Sequence, residues 1–159
     1  MDNWNDIQGN NIDVFEVLEE YKNSKNILIH IGTDAQAKGR GKANFVTVVC
    51  VHTITKGGRI FYWEDRKVPT YSLWDKLYGE TERSLRVAVA LTDHFGHEFA
   101  SRICVHVDAN PNPVYASSSY VKQLAGMVMG YGFKHVLKPD AWAASHAADH
   151  LVKGKHHRS

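Results

Sequence analysis

Two aspartates stand at the ends of apolar segments, where carboxylates can bind a metal. Asp34 closes the segment IHIGTD, and Asp108 closes the segment CVHVD. In an open α/β sheet, ligands bind beyond the carboxyl ends of the parallel strands. If these two strands are neighbours, the carboxylates face each other across about 5 Å and repel unless a cation lies between them. The alternative is that each aspartate only caps the turn that follows it.

A third carboxylate lies on the helix that the sequence predicts from about Tyr71 to Phe95. A helical wheel places Glu80 on the margin that faces the sheet and Glu82 toward solvent. A glutamate that points inward needs a partner. A metal ion at the strand ends would provide one, and a lysine or arginine would be the alternative.

The last predicted helix, DAWAASHAADHLVK, offers a fourth position in the site. Asp149 and His146 are three residues apart and share a helix face, so either one could reach a metal ion or orient a water molecule. Asp140 is a rival at the start of the helix, where an acidic side chain stabilises the N-terminus by itself. These three alternatives remain open at the level of the sequence.

Carboxylate ligands of this kind select Mg²⁺ or Mn²⁺, and such ions promote the hydrolysis of phosphodiesters. Contacts to a phosphate strand are predicted for Lys38 and Arg40, in the Gly- and Lys-rich turn after Asp34, and for Lys138 beside Pro139. For Lys38 and Arg40 the alternative is an ordinary solvated turn.

The elements that must position these residues follow from hydrophobic periodicity and turn signals. They alternate in the order β, β, β, α, β, α, β, α after a short leading helix, which predicts an α/β fold with helices packed on one mixed sheet. The predicted strands cover about 25–34, 44–54, 59–68, 102–108 and 134–138. The predicted helices cover about 13–22, 71–95, 117–131 and 140–153.

Composition restricts the class of protein. The chain has 159 residues, of which 43% are hydrophobic, and its formal net charge is +2, so we expect one folded domain with a weak overall field. Its two cysteines lie in apolar runs, which indicates buried thiols in a reducing compartment. No two of the six histidines between residues 30 and 135 show zinc-site spacing. Without a signal peptide or a long apolar run, we expect a cytoplasmic protein that does not enter a membrane.

The motifs also carry a family resemblance over about residues 25–153. In order, they are IHIGTDAQ, FVTVVCVH, KGGRIFYW, LYGETERSL, HVDANP and GFKHVLKPDAWAASHAADHLV. Together they resemble the YkuK-type ribonuclease H-like family of the ribonuclease H-like superfamily.

This resemblance implies a mixed five-stranded sheet, ordered 3-2-1-4-5, in which the second strand is antiparallel to the rest. It also implies a Mg²⁺-dependent acidic site that matches Asp34, Glu80, Asp108 and Asp149 of this chain. Residues 1–24 would then be an N-terminal extension, and residues 154–159 a basic tail.

Two functional hypotheses follow. The first is a metal-dependent nuclease that acts on RNA or DNA. The second is a non-catalytic module that keeps the fold and binds nucleic acid or another partner. The sequence does not specify the polymer, its strandedness or the oligomeric state.

Overall fold

A single mixed sheet carries the fold, and the computed structural model describes residues 3–54 and 57–143. Seven strands pair in the order β2-β1-β5-β4-β3-β6-β7. In chain order they are β1 (Trp4–Asp6), β2 (Asn11–Ile12), β3 (Ile27–Ala37), β4 (Lys42–Thr53), β5 (Gly57–Pro69), β6 (Ile103–Val107) and β7 (Lys134–Leu137).

The five strands β3 to β7 confirm the predicted arrangement. The central strand β3 pairs antiparallel with β4 and parallel with β6, while β4 pairs antiparallel with β5 and β6 pairs parallel with β7. This is the order 3-2-1-4-5 of the prediction. The expected count of five was wrong, because the N-terminal segment adds the short pair β1 and β2 to the outer edge of β5. Strands of three and two residues are too short to show a periodicity.

Helices connect and cover the strands. In chain order they are α1 (Val14–Leu18), α2 (Leu73–Phe95), α3 (His97–Ala100) and α4 (Val121–Gly130), with 3₁₀ turns at Glu19–Tyr21 and Ala116–Tyr120. The two helices predicted over 13–22 and 117–131 are therefore each part α-helix and part 3₁₀ turn. The predicted last helix lies almost entirely outside the described residues, as does the basic tail. None of the described helices is both long enough and apolar enough to cross a membrane.

The long helix α2 forms the core with one face of the sheet. Ser72 caps its N-terminus by accepting a hydrogen bond from the Asp75 amide at 3.0 Å. Its buried side chains, which include Leu77, Leu85 and Leu91, pack on Ile29 and Ile31 of β3 and on the apolar residues of β6. Strand residues alternate between the two faces of a sheet. His30 of β3 and both Cys104 and His106 of β6 therefore lie on the face away from α2.

The close approach of α2 to the sheet depends on Gly79. A Cβ built at this glycine would lie 2.9 Å from the Phe45 ring and 3.2 Å from Arg83 Nη1. Arg83 itself lies over that ring at 4.1 Å and donates to Asp65 at 2.8 Å, which ties α2 to β5. The neighbour of Gly79 in the chain is Glu80, so this packing also sets the depth of that carboxylate.

We therefore expect Gly79→Ala to lower the free energy of unfolding by about 1–3 kcal/mol, because the added methyl group overpacks a rigid ring. Gly126 of α4 is the matched control, since a Cβ there meets no atom within 4 Å. Gly126→Ala should raise stability by about 0.4–1 kcal/mol. Urea denaturation of the two variants tests the contrast, and equal shifts of the same sign would contradict this account of the packing.

Candidate metal centre

Strand register brings the two aspartates side by side. The β3–β6 ladder pairs Gly32 with His106, and two residues further along each strand are Asp34 and Asp108. Carboxylate oxygens of Asp34, Glu80 and Asp108 all lie within 4.8 Å of one another. The structure thus assembles three of the four acidic residues that the sequence suggested.

Glu80 enters this cluster from α2. One helical turn after Glu80, a hydrogen bond of 2.7 Å between the hydroxyls of Ser84 and Thr33 joins α2 to β3. Glu80 is only 2% exposed, and its Oε2 accepts a hydrogen bond of 2.8 Å from the Ala35 amide. Glu82 instead lies at the surface and pairs with Arg86 at 2.7 Å. The inward and outward assignments of the two glutamates are therefore confirmed.

Two lysines neutralise the carboxylates. Lys76 Nζ lies 2.9 Å from Glu80 Oε2 and 3.3 Å from Asp108 Oδ2, so it bridges two of the three acidic residues. Lys138 Nζ contacts Asp108 Oδ1. In this structure, ammonium groups therefore provide the positive charge beside Glu80 and Asp108. Sequence reasoning missed Lys76, although its i, i+4 spacing to Glu80 on one helix was a visible signal.

Burial and these charges set the proton affinities. Burial raises the pKa of Glu80 to about 8, and the nearby Lys76 ammonium only partly opposes that rise. Burial also raises the pKa of Asp34, again against the effect of Lys76. The pKa of Lys76 is raised, because attraction to Glu80 and Asp108 outweighs the effect of its own burial. Asp34 and Glu80 therefore hold a proton more tightly than free carboxyl groups do.

One buried oxygen of the cluster, Oε1 of Glu80, has no hydrogen-bond partner among the described residues. Leaving a buried acceptor unpaired costs about 1–3 kcal/mol, and a bound cation removes that cost. Three carboxylates provide hard oxygen ligands of the kind that Mg²⁺ and Mn²⁺ prefer. The residues present therefore fit a hard divalent cation held by Asp34, Glu80 and Asp108.

The remaining predicted site residues fall in three places. Asp149 and His146 lie outside the described residues. Asp140 is exposed and is not a member of the acidic cluster. Lys38 and Arg40 lie in the exposed turn between β3 and β4, where the Lys38 amide donates to the Lys42 carbonyl at 2.9 Å.

Neither of the two turn residues forms an ion pair with the cluster, whose ion-pair partners among the described residues are Lys76 and Lys138. Of the three predicted substrate contacts, only Lys138 therefore touches the carboxylates.

Because folding raises the pKa of Glu80 from 4.5 to about 8, the folded state binds its proton more tightly than the unfolded state. This contribution to stability is complete below the unfolded value and is lost as pH rises through the folded one. The contribution of His106 to stability has the opposite pH dependence, because burial lowers the pKa of its imidazole from 6.5 to about 4. That contribution changes only below about pH 6.5.

With a chelator present, we expect the free energy of unfolding to fall between about pH 6.5 and pH 8 by up to about 1.4 kcal/mol per pH unit relative to Glu80→Gln. Urea denaturation across this range measures the difference. Parallel pH profiles for the two proteins would show that Glu80 does not hold the proton.

A comparison with protein families agrees with this architecture. The chain matches the family model described as Ribonuclease H-like over residues 12–153, which include β3, α2 and β6 and therefore the whole described acidic cluster. No curated protein and no solved structure matches the chain. The family match confirms the resemblance that the motifs indicated. The chain belongs to the ribonuclease H-like family.

Proposed function

We propose that this protein is a divalent-metal-dependent nuclease that hydrolyses phosphodiester bonds of a nucleic acid. Membership of the ribonuclease H-like family suggests a nuclease-like protein or a nucleic-acid-binding module. The observation that carries the catalytic proposal is the convergence of three carboxylates from three elements, with the buried Glu80 Oε1 left unpartnered among the described residues.

In this proposal, Asp34, Glu80 and Asp108 hold Mg²⁺ or Mn²⁺, and Asp149 completes the set of ligands. When bound, the metal supplies Lewis-acid stabilisation of the phosphate oxygens and lowers the pKa of a bound water. Asp34 also borders a cavity of about 40 Å³, next to Asp108 and Lys138, which is large enough for a water molecule.

Two grooves that share Leu73 and Lys76 give a path for a nucleic-acid strand beside the acidic cluster. One, of about 400 Å³, runs past Asp108, Asn110 and Lys138, and the other, of about 350 Å³, runs past Lys42 toward the β3–β4 turn. Lys76 lines both grooves. Ammonium groups along such a path neutralise phosphates without reading the base sequence.

The β3–β4 turn extends this path. Lys38 and Arg40 flank Gly39, which lines the second groove. We infer that they contact backbone phosphates at some distance from the scissile bond, whereas Lys138 contacts the phosphate at the carboxylates.

One observation favours the alternative function. Lys76 lies between Glu80 and Asp108, so the protein already neutralises these two carboxylates without a divalent ion. A non-catalytic module that binds nucleic acid would need no more than that. The two functions differ in whether a metal ion displaces the Lys76 ammonium.

Cleavage assays distinguish the two functions directly. We expect Glu80→Gln to reduce metal-dependent cleavage by about 100-fold or more, because it removes a charged ligand, and Glu82→Gln to change it less than about 2-fold. Labelled single-stranded, duplex and hybrid RNA and DNA substrates, with Mg²⁺, Mn²⁺ or chelator, provide the measurement. Saturable binding by the wild type without cleavage under any condition would leave the binding module as the function.

A second variant addresses the competition between the lysine and the metal. Lys76→Met removes the ammonium group that a divalent ion has to displace. This variant should therefore bind Mn²⁺ more tightly than the wild type does, by about 10-fold or more. Lys122→Met, at an exposed position of α4, is the matched control and should leave Mn²⁺ affinity unchanged. Calorimetric titration with Mn²⁺ measures both. Weaker binding in Lys76→Met would show that the lysine assists the metal site instead of competing with it.

A further inference from the structure

A second group of metal-ligating side chains lies on the sheet face that points away from α2. His30 of β3 pairs directly with Cys104 of β6, and His106 follows two residues later on the same face. The ligand atoms of His30, Cys104 and His106 all lie within 4.8 Å of one another. These histidines show no metal-site spacing along the chain, because strand pairing brings the three side chains together.

The two imidazoles face each other with their nitrogens in contact. His30 Nδ1 and His106 Nε2 are 2.8 Å apart, and the Trp142 amide donates to His106 Nδ1 at 3.1 Å. Since Nδ1 of His106 accepts a hydrogen bond, a neutral ring carries its proton on Nε2 and donates it to His30. Neutral imidazole is the form that binds metals.

We propose that His30 Nδ1, His106 Nε2 and Cys104 Sγ form a binding site for a soft divalent metal ion, best represented by Zn²⁺. Two imidazoles and one thiolate are a known donor class for zinc, and three protein ligands leave a fourth position for another donor. Oxygen-only sites such as the acidic cluster select Mg²⁺ and Mn²⁺ instead. The two clusters therefore differ in the ion that they prefer.

Binding needs only small movements of the side chains. Two nitrogens on one tetrahedral zinc ion are about 3.3 Å apart, given a Zn–N bond of about 2.0 Å, so the two rings must separate by about half an ångström. The Cys104 thiol loses its proton to solvent when the Zn–S bond forms. The Nε2 proton of His106 is replaced by the metal, and the neutral ring then carries its proton on Nδ1.

This change of tautomer links the metal to Trp142. Once Nδ1 of His106 carries a proton, it can no longer accept the hydrogen bond from the Trp142 amide. The indole of Trp142 also packs on both imidazoles, with ring centroids 4.8 Å from His30 and 5.2 Å from His106. Metal binding should therefore alter the environment of this indole, and tryptophan fluorescence gives a second readout.

The test is a titration of the full chain, without an affinity tag, with Co²⁺ as a spectroscopic substitute for Zn²⁺. Saturating Mg²⁺ occupies the acidic cluster during the titration. Because the sequence contains ten histidines, the diagnostic signal is the thiolate-to-cobalt charge-transfer absorption, which imidazoles alone do not produce. We expect this band at one Co²⁺ per chain, together with a change in tryptophan fluorescence.

The two cysteines provide a matched pair of variants. Cys104→Ser should abolish the band, whereas Cys50→Ser should retain it, because Cys50 flanks His30 on β4 and is not a member of the cluster. His30→Ala, in which the thiol is intact, should weaken Co²⁺ binding by about 10-fold or more. Absence of the band in the folded wild type, or its persistence in Cys104→Ser, would overturn the proposal. Neither result would bear on cleavage at the acidic cluster, which the nuclease assays measure separately.

Discussion

The burial of one carboxyl group, that of Glu80, is the constraint on which the rest of the site depends. Glu80 is 2% exposed between α2 and β3, and among the described residues only one of its two oxygens has hydrogen-bond partners. A buried carboxylate must be protonated or paired with a cation. The Ala35 amide fixes the position of the carboxylate, and Lys76 provides the positive charge. The competition between proton, lysine and metal at this point determines whether the proposed metal site can form.

One strand register fixes both candidate sites. The pairing of β3 with β6 sets His30 beside Cys104 and, further along the same strands, Asp34 beside Asp108. A slip of one residue would move every side chain of one strand to the other face of the sheet, and both clusters would be lost together. The buried apolar residues of these strands hold that register against α2. The packing of the core therefore also aligns the side chains of both candidate sites.

Much of this arrangement could be predicted from the sequence. The apolar run before Asp108 located the end of β6, and the helical period placed Glu80 inward, whereas β3 continues past Asp34 to Ala37. The i, i+4 spacing of Lys76 to Glu80 was visible in the sequence, but it does not show that the same ammonium group also reaches Asp108 on another element. The His30 and Cys104 pair escaped as well, because a contact between residues 74 positions apart follows from register and not from local pattern. Short strands such as β1 leave no periodic signal and form only where tertiary partners exist.

The N-terminal hairpin has a consequence for self-association. Strand β5 is 13 residues long and, without β1, would be an outer edge of the sheet. Asn5 and Asp6 pair with the aromatic part of that edge, at Tyr62 and Phe61. The remainder of the edge carries the charged run 64–67, a feature that discourages pairing with another chain. The hairpin therefore covers the one apolar stretch of β5 from which two copies of the protein could extend a shared sheet, and it ends in β2, a strand of two residues that offers little to pair with.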